Sequence, residues 1–182
     1  CSIVTIAVLV AAFVIVKTHE VEREYFAVDE QGRLTPIVAL SQPYVSPSAL
    51  LTWVVECVTS ANNYDWVHFR EQFQRNRQCF TPDGWDQFLD AVERSKILET
   101  VKSQRLVASA AATGAPVIVR EGIRKGAYTW QVEVPIVVNY QGGQAGRSSI
   151  TQRLLVTVLV TRIPTYESKY GIGLAQYIAQ ER

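Results

Sequence analysis

Two stretches with a two-residue period constrain this chain more than anything else in it. From Tyr128 to Tyr140 the even positions read Trp130, Val132, Val134, Ile136, Val138 and Tyr140, and the odd ones Thr129, Gln131, Glu133, Pro135, Val137 and Asn139. Successive side chains of a strand point to opposite faces, so the pattern predicts a strand with one buried and one wetter face. From Arg147 to Ile163 it recurs, with Ile150, Leu154, Val156, Val158 and Val160 on one side and Thr151, Arg153, Thr157 and Thr161 on the other. Leu155 and Leu159 interrupt the polar side, so its middle is expected to be covered. Gly142-Gly143-Gln144-Ala145-Gly146 between the two can take positive φ and reverse the chain, which makes them a hairpin.

Upstream the period is helical. Ser46 as cap and Pro47 at the first helical position open a helix carrying Leu50, Leu51, Val54, Val55, Val58 and Ala61, which Asn62-Asn63 ends. A second helix carries Trp66, Phe69 and Phe73, and Thr81-Pro82 opens a third with Trp85, Phe88, Leu89 and Val92. Ile97, Leu98 and Val101 give one more short helix, then Leu106–Ala112 and Pro116–Ile123 read as strands that turn at Lys125-Gly126 into the central hairpin. Helices followed by an antiparallel meander is an α+β pattern.

Ile3–Val16 has Thr5 as its only polar residue. An apolar run without a polar stripe is expected to be a transmembrane helix, with membrane lipid around Ile3 to Val16. The run is short for a span, and the chain has no methionine, so a fragment or processed form whose span begins upstream of Cys1 is expected. The expected organisation is a membrane and juxtamembrane segment at 1–24, an extended connector or hairpin at 25–45, and an α+β domain at 46–182. With 18 basic and 17 acidic residues, nothing in the overall charge points to nucleic acid.

No arrangement of residues carries chemistry. His19 and His68 lack partners at metal-ligand spacing. Asp83, Asp86 and Asp90 share a helix face and read as a solvated stripe. Tyr170-Gly171-Ile172-Gly173-Leu174-Ala175-Gln176 lacks the third glycine of a dinucleotide loop. Glu133, on the polar face of a curved sheet, has no second acid or histidine placed to join it. No catalytic residue, metal or cofactor is therefore assigned. Cys57 and Cys79 are preferred as two buried thiols, with a disulfide as the alternative if the domain lies outside the cytosol. After Pro164, Tyr166, Tyr170, Leu174, Tyr177 and Ile178 are spaced as a helical stripe broken at Gly171 and Gly173. That stripe, with Ile172, either packs on its own domain or docks on a neighbouring subunit, where tyrosine buries area and keeps a hydroxyl for the rim.

Asn76-Arg77-Gln78-Cys79-Phe80-Thr81-Pro82-Asp83-Gly84-Trp85-Asp86-Gln87-Phe88, Ala115-Pro116-Val117-Ile118-Val119 and Tyr170-Gly171-Ile172-Gly173-Leu174-Ala175-Gln176-Tyr177-Ile178 together resemble the IcmL/DotI family, which is TraM-like. Its members are inner-membrane components of type IVB secretion systems. The resemblance covers nearly the whole chain in order. It implies a short cytosolic segment before Cys1, one span of the bacterial inner membrane, and a periplasmic C-terminal domain. The implied fold is helices on a curved antiparallel sheet, an NTF2-like cone similar to the single-span subunits of type IVA machines. It further implies a non-enzymatic structural role in assembling the effector translocation apparatus. The implied partners are further copies of itself, a shorter paralogous inner-membrane protein and other core subunits. The alternatives are a membrane-anchored small-ligand binding protein or enzyme on the same fold, and an envelope module for glycan or lipid.

Overall fold

The computed structural model describes residues 25–28, 34–142 and 148–182. The apolar run Ile3–Val16, and with it the expected transmembrane helix, lies outside them. Among the described residues no helix is long and apolar enough to cross a membrane. Contacts divide the chain into two units, residues 1–38 and 39–182. In the first, β1 (Tyr25–Val28) and β2 (Leu34–Ile37) form an antiparallel hairpin with Tyr25 opposite Ile37.

The second unit begins with four helices. In α1 (Pro47–Ala61) the Ser46 hydroxyl accepts from the Ala49 N–H at 3.3 Å, and in α3 (Pro82–Ser95) Thr81 Oγ1 accepts from the Gly84 N–H at 3.1 Å. These are the caps that the serine and threonine before each proline predict. Between them α2 spans Phe69–Asn76 and is followed by a 3-10 turn at Arg77–Cys79; α4 spans Ile97–Gln104. Trp66 is not on α2 as its spacing suggests. The Asp65 carboxylate accepts from the Val67 and His68 N–H groups at 2.8 and 2.7 Å, an Asx-type turn that holds Trp66 ahead of the helix.

The sheet is built from β3 (Tyr64–Asp65), which lies between α1 and α2, and from β4 (Leu106–Ala112), β5 (Val117–Arg124), β6 (Ala127–Gly142), β7 (Ser148–Arg162) and β8 (Ile172–Glu181), which follow the helices. The order is β3-β4-β6-β7-β8, with β5 also on β6. One edge of β6 serves two partners end to end. β5 takes Ala127–Glu133 and β4 takes Ile136–Gly142, all antiparallel. The sheet is curved into a half-barrel with the helices packed on it. Val132, Val134, Ile136, Val138, Val156, Val158 and Val160 are buried on its inner face, against Leu50, Val54 and Val58 of α1 and the rings of Phe73, Phe80, Trp85 and Phe88. The two-residue period thus assigned the inward face of β6 and of Val156–Val160 in β7, whereas Ile150, expected on the same buried side, is 45 % exposed because it lies beyond the helix layer at the hairpin end. Leu155 and Leu159 are half-buried.

The C-terminal segment corrects the sequence reading. It is a strand, β8, antiparallel to β7, and not a helix. A register shift lets Ala175 bulge out, so Leu174 and Tyr177 both stand opposite inward residues of β7, Val160 and Val158. A bulge thus reproduces, three residues apart, the spacing of a helical face. Helical propensity loses here because the β7 edge would otherwise be left without hydrogen-bond partners.

The preference for two free thiols is also overturned. Cys57 and Cys79 are joined, with an S–S distance of 2.04 Å and Cα atoms 5.9 Å apart. Cys79 sits in the 3-10 turn beyond α2 and bonds there to Cys57 of α1. Closing a loop across 22 residues is expected to add about 3 kcal/mol. Urea unfolding of Cys57→Ser/Cys79→Ser should show that loss, and equal midpoints for variant and oxidised parent would refute it.

Candidate functional site

The residues weighed for chemistry remain scattered. Among the described residues no group of three or more His, Cys, Asp or Glu side chains could hold a metal ion. His19 lies outside them. His68 is exposed, with its Nδ1 3.3 Å from the Asp65 carboxylate. The His68 N–H is the main cause that lowers the Asp65 carboxyl to about 2, partial burial opposes it, and the Val67 N–H and the Gln72 amide add to the lowering. This is the Asx-type turn that precedes α2, with no side-chain cap on the helix itself. Asp83, Asp86 and Asp90 are exposed along α3, and Glu133 stands opposite Thr157 in the ladder.

What the fold does bring together is Thr81-Pro82-Asp83-Gly84-Trp85 and Tyr170-Gly171-Ile172-Gly173-Leu174. The Thr81 N–H donates to the Leu174 carbonyl at 3.0 Å, its hydroxyl to the same oxygen at 3.3 Å, and Phe80 bridges Leu174 in parallel. Gly84 lies so close that a Cβ on it would overlap the Leu174 carbonyl. The start of α3 is therefore docked backbone to backbone on the free edge of β8.

Between β7 and β8 the chain turns through Pro164–Gly171. Glu167 and Ser168 donate their N–H groups to the Pro164 carbonyl, and Ile163 donates to Gly171. The turn is anchored from beneath by Arg162, which is buried. Its Nη1 donates to the Gly171 carbonyl at 2.7 Å and its Nε to the Gln42 carbonyl at 3.2 Å, and its guanidinium lies 4.8 Å from the Tyr44 ring centre. Burial lowers its pKa, and Tyr44 opposes that shift. Gly171 has φ +62, and a Cβ there would come within 2.6 Å of Arg162 Nη1. Sequence reasoning passed over Arg162, yet its position carries the signal: it continues the inward register of Val156, Val158 and Val160.

The turn stands among three clefts. One of about 480 Å³ lies between it, Arg77, Phe80 and Trp85. A second of about 420 Å³ reaches Trp53 and the Cys57–Cys79 bond, and a third of about 390 Å³ lies between Tyr170, Trp53 and Val45. Tyr166 is 86 % exposed and Tyr170 51 %. The other members of the expected contact stripe are not on this surface. Gly171, Ile172, Gly173 and Leu174 are buried. Tyr177 faces a separate cleft of about 520 Å³ with Tyr64 and Tyr140, its hydroxyl accepting from Asn62 Nδ2 at 2.6 Å.

Residues 1–181 match the model of a family described as the type-IV b secretion system, inner-membrane complex component, DotI/IcmL. No curated protein matches the chain. The solved periplasmic domain of DotI is 39% identical, covers 78% of this chain and 99% of its own, and superposes with a TM-score of 0.74. A periplasmic fragment of TraM is 24% identical over 76% of this chain and 100% of its own, with a TM-score of 0.69. CagV of Helicobacter pylori, a VirB8 homologue, is 10% identical over 74% of this chain and 98% of its own at a TM-score of 0.58, and shares the fold alone.

Proposed function

This chain belongs to the DotI/IcmL family of inner-membrane components of type IVb secretion systems, and from that we propose that residues 39–182 form a periplasmic assembly domain held at the inner membrane by Ile3–Val16. Its work is contact with further copies of itself, with a shorter paralogous membrane protein and with other core subunits, in support of protein translocation. The observation that carries this reading is the 39% identity to the periplasmic domain of DotI across 99% of that domain. We place the self-contact at the Pro164–Gly171 turn, where Tyr166 and Tyr170 are presented on a turn fixed by Arg162. Exposed tyrosines on a rigid support, next to clefts lined by Trp53 and Trp85, have the character of interface anchors.

The test is the mass of the full-length protein in detergent by multi-angle light scattering. Tyr166→Ser/Tyr170→Ser should lower that mass and leave the melting temperature within about 2 °C, since neither ring is in the core. A parent protein with the mass of one chain would refute self-assembly, and an unchanged mass in the variant would exclude the turn.

A further inference from the structure

α3 and β5 carry opposite charges on opposite faces of residues 39–182. At 3.6 residues per turn, Asp83, Asp86, Asp90 and Glu93 of α3 fall within about 80° of one another around the helix. All four are exposed, and the buried Gly84, Trp85 and Phe88 occupy the other side of α3, against the core. The acids therefore look away from the sheet, along about 15 Å of helix at ~1.5 Å per residue. On β5 the exposed arginines are Arg120 and Arg124. In the ladder Arg120 stands opposite Gln131, Gly122 opposite Thr129 and Arg124 opposite Ala127, so all three share the outer face of the sheet. Glu121 and Ile123 lie on the other face, with Trp130 and Tyr128.

Gly122 leaves a gap between the two arginines. A Cβ there would meet nothing within 4 Å, and the gap opens into a recess of about 410 Å³ that both arginines line with Gln131 and Leu159. The arginine Cα atoms are about 13 Å apart at ~3.3 Å per residue, a span that the row of acids on α3 matches. Among the described residues no ion pair engages either arginine, any of the four acids, or Glu133, the acid that shares the outer face with them. A guanidinium fork on each side of an open gap is a seat for carboxylates. Two-fold pairing through β5 would set arginine against arginine, and two-fold pairing through α3 would set acid against acid. Because the two patches lie on opposite faces, the attractive contact between two copies leaves one patch of each free for a further copy.

We propose that the acids of α3 on one copy seat against Arg120 and Arg124 at the Gly122 recess of the next, a front-to-back contact whose repetition gives a ring or a stack. This rests on the self-assembly reading above and adds a second contact to it. It shares no residue with the Pro164–Gly171 turn.

The mass of the full-length protein in detergent, followed by multi-angle light scattering on dilution, tests it. Arg120→Glu/Arg124→Glu and Asp86→Lys/Asp90→Lys should each raise the concentration at which the assembly loses mass, by about tenfold or more. All four positions are exposed, so melting temperatures should stay within about 2 °C of the parent. With both pairs of substitutions in one chain, glutamate meets lysine and the parent's mass should return. An unchanged mass in either variant of the parent, or no return in the combined chain, would overturn the proposal and leave self-assembly through the turn standing. Loss in the arginine variant alone would mark an anion of lipid or of a different subunit as the occupant of the recess. A parent with the mass of one chain would refute self-assembly itself, and this contact with it.

Discussion

Val134→Asp and Val156→Asp are each expected to leave no folded domain at neutral pH. The two valines face one another in the central ladder and both are 0 % exposed, with the helix layer above them. A carboxylate there would sit in the apolar cluster, and burying it costs several kcal/mol even if it protonates instead. Domains of this size are stable by about 5–15 kcal/mol, so either substitution removes most or all of the margin. Thr157→Lys is the control one position along the strand. Thr157 is half-buried on the other face, opposite Glu133, and a lysine there gains an acidic cross-strand neighbour. It should change stability by no more than about 0.5 kcal/mol. Far-ultraviolet circular dichroism and urea unfolding separate the two results, and a folded Val134→Asp with parent-like stability would refute the placement of the core.

Gly84→Ala, the addition of one methyl group, is expected to cost about 3 kcal/mol or more, at the upper end of what overpacking does. The reason is where the methyl would go. It would overlap the Leu174 carbonyl, a backbone group that accepts from both the N–H and the hydroxyl of Thr81, so no rotamer change can relieve it. Either α3 lifts from β8 or the strand shifts, and both break the Thr81–Leu174 bonds. Asp83→Ala in the same turn of α3 is exposed and should lose only the interaction of an acid with the helix start, about 0.5 kcal/mol. Unfolding midpoints, together with faster amide exchange at Thr81 in Gly84→Ala, make the measurement. Equal midpoints for Gly84→Ala and the parent would show that the close approach is not a constraint.

The close approach at Gly84 belongs to the same contact that makes the resemblance readable. Its motifs in the third helix and in the tail lie about 90 residues apart in the chain, and in the fold they are two sides of one contact. Thr81, Gly84, Gly171 and Leu174 are legible as a pattern because each position tolerates little else: a cap, a close approach, a positive φ and a fully buried side chain. That pattern marks a joint of the architecture. Ile172 and Leu174 are buried within the domain at that joint. The exposed residues near them, Tyr166 and Tyr170, sit on the turn whose position depends on Arg162 and Gln42.

The sequence by itself determined the elements and their faces. Alternation between faces is a local property of a strand, and Ser46-Pro47 and Thr81-Pro82 are local caps, so β6, β7, α1 and α3 could be read from neighbours a few residues apart. Only the tertiary structure decided the rest. Whether the tail after Pro164 is helix or strand depends on the unpaired edge of β7, about 20 residues earlier in the chain. Whether Cys57 meets Cys79 depends on where the 3-10 turn returns the chain. That Tyr177 faces inward depends on a bulge at Ala175 that changes the register by one residue. Each of these is settled by backbone groups that must find partners at a distance in sequence, and no local pattern records which partner they find.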